Sequence, residues 1–261
     1  MEKAIEVTGL VTHYEEREIL KDIFFSIEKG RITVILGGSG CGKSTLLKHL
    51  IGLLKPTRGS ILINGKDITV MKEDELNEVR KRMGILFQGA ALLNSMTLSD
   101  NVALPLREHT RLNESTIQIM VRMRLDLVGL SGFENFYPSQ LSGGMKKRAG
   151  IARAMALDPE FLFFDEPSAG LDPVTAAGLD ELILKLRNVF RMTIVAVTHE
   201  LASVFAIADY VIMLDLGEMI FSGTLDELKA SENPRVRMFL ERRPEAETYS
   251  PHDYFRFIAG D

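Results

Sequence analysis

The segment Ile32-Thr-Val-Ile-Leu36, Gly37-Gly38-Ser39-Gly40-Cys41-Gly42-Lys43-Ser44, Thr45-Leu-Leu-Lys-His-Leu-Ile51 decides how this chain folds. It reads as an apolar strand, a glycine-rich turn and the start of a helix, and the turn satisfies G-x-x-x-x-G-K-[ST] at every position. Glycines let successive backbone N–H groups converge on phosphate oxygens without Cβ clashes, and the helix adds the positive end of its dipole at the same place. On this reading the stretch from Gly37 to Thr45 cradles the phosphates of a nucleotide. Lys43 reaches the β- and γ-phosphates, and the Ser44 hydroxyl is a magnesium ligand. Cys41 holds a free position of the motif. With no histidine arranged as its base, it is expected to be an inert, oxidisable thiol and not a nucleophile.

Outward from this segment, short apolar runs alternate with longer helical patterns, which indicates an α/β domain with a largely parallel sheet. Strands are expected at Ile5–Val7, Phe24–Ile27, Ile32–Leu36, Ser60–Ile63, Gly84–Phe87, Phe161–Phe164, Thr193–Val197, Tyr210–Leu214 and Met219–Ser222. Asp172 and Pro173 form an N-cap and first helical position, and Leu179, Leu182, Ile183 and Leu186 then supply one buried face. Between about Gly89 and Met155 the strand signal disappears, so residues 89–155 are expected to form a helical subdomain inserted into a domain spanning 1–243. A helix is expected around Val236 to Arg242. Residues 244–261, with Tyr254, Phe255 and Phe257, are expected to be a tail that docks on a partner or a second protomer.

Composition narrows the class. The chain has 261 residues, 46% hydrophobic and 26% charged, which suits a globular protein and not a disordered or fibrous one. Its formal charge is 31 − 36 = −5, so no overall basic field holds nucleic acid, and no nucleic-acid partner is expected. A single cysteine excludes an intramolecular disulfide and a cysteine-based zinc site, and favours a reducing compartment. The first residues lack an export signal, and no apolar run approaches the roughly 20 residues of a spanning helix, so a membrane role is expected to come through a partner.

Phe161-Leu-Phe-Phe-Asp165-Glu166-Pro167 is an apolar strand that ends in two carboxylates. Two charges at such a tip are costly without a cation or polar chemistry beside them. Asp165 is read as a magnesium ligand, and Glu166 as the general base that orients and deprotonates the attacking water. Thr193 to Val197 likewise ends in Thr198-His199-Glu200. Ligands of an open parallel sheet bind beyond the carboxyl ends of its strands, which brings Ser44, Asp165 and His199 together and makes His199 a γ-phosphate contact.

With Leu141-Ser142-Gly143-Gly144-Met145 between these motifs, the chain resembles the ATP-binding-cassette ATPases over about residues 3 to 240. The resemblance implies a P-loop NTPase core with a mostly parallel sheet, an antiparallel β subdomain and an inserted helical subdomain. It makes Tyr14 the aromatic that stacks on adenine, and Gln88 the glutamine whose loop senses magnesium, as a metal ligand, and the transport partner. Asp172 belongs to a dimer-contact loop, Ser168-Ala-Gly-Leu-Asp172. The Ser142-Gly143-Gly144 turn opens a helix and so makes a second anion-binding end. In the family that end docks on the γ-phosphate held by the other subunit, so two copies enclose two ATP molecules. Met145 departs from the glutamine commonest there. The basic run Lys146-Lys-Arg148 is read as the exposed face of this helix.

Gly84-Ile-Leu-Phe-Gln88-Gly-Ala-Ala-Leu-Leu-Asn-Ser-Met-Thr97, Asn101-Val-Ala-Leu-Pro-Leu-Arg-Glu108 and Leu141-Ser-Gly-Gly-Met-Lys-Lys-Arg148 resemble the MlaF-like branch that powers bacterial phospholipid transport. That branch implies ATP and Mg2+ as cofactors and a peripheral site on the cytoplasmic side of the inner membrane. Its partners are a second copy, an MlaE-like permease, an MCE-domain (MlaD-like) lipid-binding protein and a STAS-domain (MlaB-like) subunit. The permease helix is expected in a groove between the sheet and the helical subdomain, near Gln88. An importer ATPase for polar amino acids or other solutes shares every site motif. A non-transport ATPase acting on DNA or ribosomes is the alternative of another class.

Overall fold

The structure, a computed structural model, describes residues 2–243. Its strands are β1 (Lys3–Tyr14), β2 (Arg17–Glu28), β3 (Ile32–Gly37), β4 (Arg58–Ile63), β5 (Lys66–Asp67), β6 (Met83–Leu86), β7 (Phe161–Asp165), β8 (Thr193–Thr198), β9 (Tyr210–Asp215) and β10 (Glu218–Thr224). Its helices are α1 (Lys43–Leu50), α2 (Glu73–Arg80), α3 (Leu98–His109), α4 (Glu114–Leu127), α5 (Gly143–Ala154), α6 (Pro173–Phe190), α7 (Leu201–Ile207), α8 (Leu225–Ala230) and α9 (Pro234–Leu240). The tail expected at 244–261 lies outside the described residues.

Two sheets form. The larger runs β10-β9-β3-β8-β7-β6, parallel except for the antiparallel β9–β10 pair, and the smaller is an antiparallel β2-β1-β4-β5 sheet. Both faces of the parallel sheet are covered, which is why its strands read as continuous apolar runs. Alternate residues divide between two cores. Leu162, Phe164, Ile194 and Ala196 face one core with Val102, Val121, Ile151 and Ile183 of α3, α4, α5 and α6. Phe161, Phe163, Val195 and Val197 face the other, with Leu46 and Leu47 of α1 and Ile5, Ile23 and Ile61 of the antiparallel sheet.

The strands of the antiparallel sheet run well past the expected stretches. The β1–β2 ladder shifts register at Lys3/Ile5, Val7/Leu10, Leu10/Thr12 and Thr12/His13, and each shift breaks the alternation that would mark a strand in sequence. The two-residue β5 carries no signal of its own.

Helices α3, α4 and α5 follow one another between β6 and β7. Thr97 and Asn113 cap α3 and α4 by accepting from Asp100 N and Thr116 N. Helix α5 lies directly on β6: a Cβ on Gly84 would stand 2.4 Å from the Ala154 carbonyl oxygen, so only glycine allows this approach. The basic run of α5 is not an exposed face. Lys147 is buried, and Arg148 donates to the carbonyls of Val128 (3.1 Å) and Gly178 (2.9 Å). In α6, Asp172 accepts from Val174 N and Thr175 N, and Leu179, Leu182, Ile183 and Leu186 are the buried face that their spacing indicated.

Candidate nucleotide site

A cleft of about 690 Å³ opens at the carboxyl ends of β3, β7 and β8, within the range of small-molecule pockets. Gly38, Ser39, Gly40, Gly42, Lys43, Ser44 and Thr45 form its floor, and Gln88, Glu166 and His199 form one wall. Tyr14, 47% exposed, also lines it, with Arg17, Ile19 and Phe239. The reading from sequence missed these last three. Arg17 and Ile19 sit in an unremarkable alternating strand, and Phe239 arrives from α9, some 200 residues further along the chain.

The floor is built by backbone. Gly42 caps α1 at φ 105°, and a Cβ there would lie 2.7 Å from Leu20 Cδ2. Neither its conformation nor its surroundings admit a side chain, which leaves the N–H groups at the start of α1 open to an anion. The Lys43 ammonium donates to the carbonyls of Gly37 (2.9 Å) and Gly38 (2.8 Å) and stands 4.0 Å from Glu166 Oε1. Cys41 turns its thiol away from the cleft into the core beside Ile35 and Leu46, and burial pushes its pKa up. Its side chain contributes packing; a role in holding phosphate rests on its backbone alone.

At the wall, the Ser44 hydroxyl donates to Asp165 Oδ1 at 3.2 Å. Burial, followed by the charge of Glu166, raises the Asp165 pKa against the lowering effect of the Ser44 bond. Glu166 is 8% exposed. Its Oε1 accepts from His199 Nδ1 at 2.8 Å, while its Oε2 is buried with no hydrogen-bond partner. Its backbone is left-handed, φ 49°, a conformation that costs a non-glycine residue about 1 kcal/mol or more. Three bonds hold it there: its N–H donates to Val197 O (2.9 Å), and its carbonyl accepts from Lys147 Nζ (2.9 Å) and from Ala169 N (3.3 Å).

These residues fit a nucleotide with a divalent cation. Ser44 and Asp165 present two hard oxygen donors to the same point, as magnesium requires. Glu166 Oε2 is a buried polar atom that no group among the described residues satisfies. Among the described residues no cluster of three or more His, Cys, Asp or Glu side chains forms a separate metal centre.

The remaining expected residues lie elsewhere. Ser142, Gly143 and Gly144, with Ser142 capping α5 through Met145 N at 3.3 Å, sit beside Leu171 and Thr175 and away from the cleft. Asp172 is engaged in capping α6, and the hydrogen bond from the Thr175 hydroxyl, followed by those from the backbone N–H groups, holds its carboxyl below the usual range. Within one copy the signature turn therefore does not meet the phosphate floor.

The chain was compared with known proteins. The family described as ABC transporter matches residues 20–169. The "Probable ribonucleotide transport ATP-binding protein mkl" of Mycobacterium leprae is 47% identical over 240 residues, covering 92% of this chain and 69% of that one. The "Intermembrane phospholipid transport system ATP-binding protein MlaF" of Haemophilus influenzae is 42% identical over 255 residues, 97% of each chain. Among solved structures, the dimeric ATP-binding cassette MJ0796 in a post-hydrolysis state bound to ADP and Pi superimposes with a TM-score of 0.79 at 31% identity, covering 85% of this chain and 98% of that one. With its phosphate floor, acidic strand end and signature turn in one fold, this chain belongs to the ABC transporter family, as an ATP-binding and ATP-hydrolysing cassette.

Proposed function

We propose that the chain powers a transporter moving phospholipid between bacterial membranes, on the cytoplasmic side of the inner membrane, as a dimer with two ATP molecules at its interface. The observation that carries the cargo is the match to the phospholipid-transport protein MlaF over 97% of each chain. An MlaE-like permease, an MCE-domain protein and a STAS-domain subunit are the partners this reading implies. No helix of the described residues is long and apolar enough to cross a membrane, so membrane contact is assigned to the permease. A hollow of about 620 Å³ between α2, β6, α3 and α5, lined by Arg80, Pro105, His109 and Arg153, supports docking of a permease segment. It lies next to the loop after Gln88, whose Ala90 and Ala91 carbonyls accept from Arg153 at 3.1 and 2.8 Å.

In the proposed mechanism the glycine-rich floor and Lys43 bind the β- and γ-phosphates, and Tyr14 stacks on adenine. Ser44, Asp165 and Gln88 would hold Mg2+, which offsets the charge that develops on the phosphates. Glu166 accepts the proton of the attacking water, its Oε1 held by His199. The Ser142-Gly143-Gly144 end of α5 completes the site of the second copy. The residues 1–243 form the cassette, with 89–155 as its helical subdomain.

The 47% identity to a protein named for ribonucleotide transport favours a second cargo. Purification from native membranes in mild detergent through an N-terminal tag, with mass spectrometry of proteins and lipids, separates the two. Recovery of an MlaE-like permease, an MCE-domain protein and bound phospholipid is the expected result; a different permease without lipid would overturn the cargo and leave the ATPase chemistry intact.

A further inference from the structure

We infer that Lys147 is a positioning residue for ATP hydrolysis: its ammonium, carried by α5, ties the Glu166 backbone to the backbone of Gln88 and thereby sets the general base against the phosphate site. Lys147 is 6% exposed, and Nζ donates to Gln88 O at 2.6 Å and to Glu166 O at 2.9 Å. One side chain thus joins three pieces of the site that are far apart in sequence: the helix opened by Ser142-Gly143-Gly144, the loop after β6, and the turn after β7.

Burying an ammonium is costly, and desolvation lowers the Lys147 pKa against the pull of Asp165 and Glu166. A residue needed only to fill space here would carry no charge. What the charge secures is the Glu166 backbone, left-handed at φ 49° and clamped between Val197 O and Lys147 Nζ. Without the Lys147 bond the Glu166 carbonyl keeps the longer bond from Ala169 N–H (3.3 Å), within its own turn, and loses its tie to α5, so the strained turn is freer to relax, which moves the Glu166 carboxylate away from its place beside His199 and Lys43. The loop after Gln88 hangs from the same helix a second time through Arg153. A shift of α5 is therefore transmitted to the base and to Gln88 together.

The inference rests on Glu166 being the base, and the test separates the two. Lys147→Met, Lys147→Arg and Glu166→Gln are prepared in the full chain, and ATP affinity, melting temperature and phosphate release per bound ATP are measured. Lys147→Met is expected to bind ATP within about twofold of the parent while kcat falls about 10- to 100-fold, the scale of a small misplacement of a catalytic group. Lys147→Arg, which keeps charge and donors, is expected to recover most of the loss. Should Lys147→Met fail to fold, Lys147→Gln, polar but uncharged and one atom too short to place its amide where Nζ bonds both carbonyls, is measured against the same expectation of lost kcat at unchanged affinity. A kcat per bound ATP near that of the parent, or a loss explained wholly by weaker ATP binding, overturns the role of Lys147 when Glu166→Gln is inactive. An active Glu166→Gln overturns the base itself.

Discussion

Glu166 Oε1 lies 2.8 Å from His199 Nδ1, on the ends of two adjacent parallel strands, while the other oxygen of the same carboxylate is buried and unpartnered. A carboxylate cannot donate, so Nδ1 carries the proton and His199 orients Glu166 with one free oxygen left over. That oxygen has its lone pairs uncommitted.

Glu166→Gln should bind ATP as the parent does and lose phosphate release by about 10²-fold or more, since the amide cannot accept the water's proton. With hydrolysis blocked, ATP should shift the protein to a dimer on size exclusion. Turnover near that of the parent would sink the assignment of the base.

His199→Ala should also slow hydrolysis, by about 10-fold or more, by removing the bond that holds Glu166 Oε1. His199→Gln, which can still donate to Oε1, should retain more activity than the alanine variant; equal losses in the two would argue against an orienting bond.

Lys43→Ala should weaken ATP binding by at least about tenfold, because a charge-assisted contact to phosphate is worth about 1.5–3 kcal/mol. In the absence of nucleotide Lys43 donates to two carbonyls of its own loop and faces Glu166 Oε1 at a long 4.0 Å, so the melting temperature without ATP should change less than the affinity does. Titration of the parent and of Lys43→Ala with a fluorescent ATP analogue, with a thermal melt of each without nucleotide, checks this.

Phe164→Ala removes a fully buried ring from β7, one residue before Asp165. A loss of about 3–5 kcal/mol is expected in denaturant unfolding. The same truncation at the exposed Phe205 should cost far less.

His49 gives the fold a pH dependence. It is buried, with Nδ1 2.8 Å from Leu54 O and Nε2 2.7 Å from Thr12 Oγ1. Leu54 O can only accept, so Nδ1 carries the proton and Nε2 accepts from Thr12. Burial lowers the His49 pKa in the folded state. Below its unfolded value of about 6.5 the unfolded chain binds the extra proton first, so stability falls as pH drops through that value. Urea unfolding at pH 7.5 and pH 5.5 should show a larger drop for the parent than for His49→Gln; an equal drop in both would remove His49 as the cause.

The nucleotide floor, the acidic strand end and the strand-end histidine were legible because each is a local pattern: an apolar run that ends in a particular polar residue. The same holds for α6, whose cap and buried face are set by residues within one helix. The register shifts of β1 and β2, the arrival of Phe239 at the cleft and the inward turn of Cys41 depend on elements distant in the chain, and no window of sequence carries them.

What the sequence alone determined is therefore the set of local patterns: the glycine-rich turn between strand and helix, the carboxylates and the histidine at strand ends, and the family the arrangement resembles. What only the tertiary structure decided is how those residues are held. Lys147 looks in sequence like a solvated charge on a helix surface. It is buried because β6 and the turns after β6 and β7 close over that face of α5, and the groups that satisfy it are the backbone carbonyls of Gln88 and Glu166. Every residue has a carbonyl, so a lysine bonded to two of them leaves no signature in the order of the amino acids.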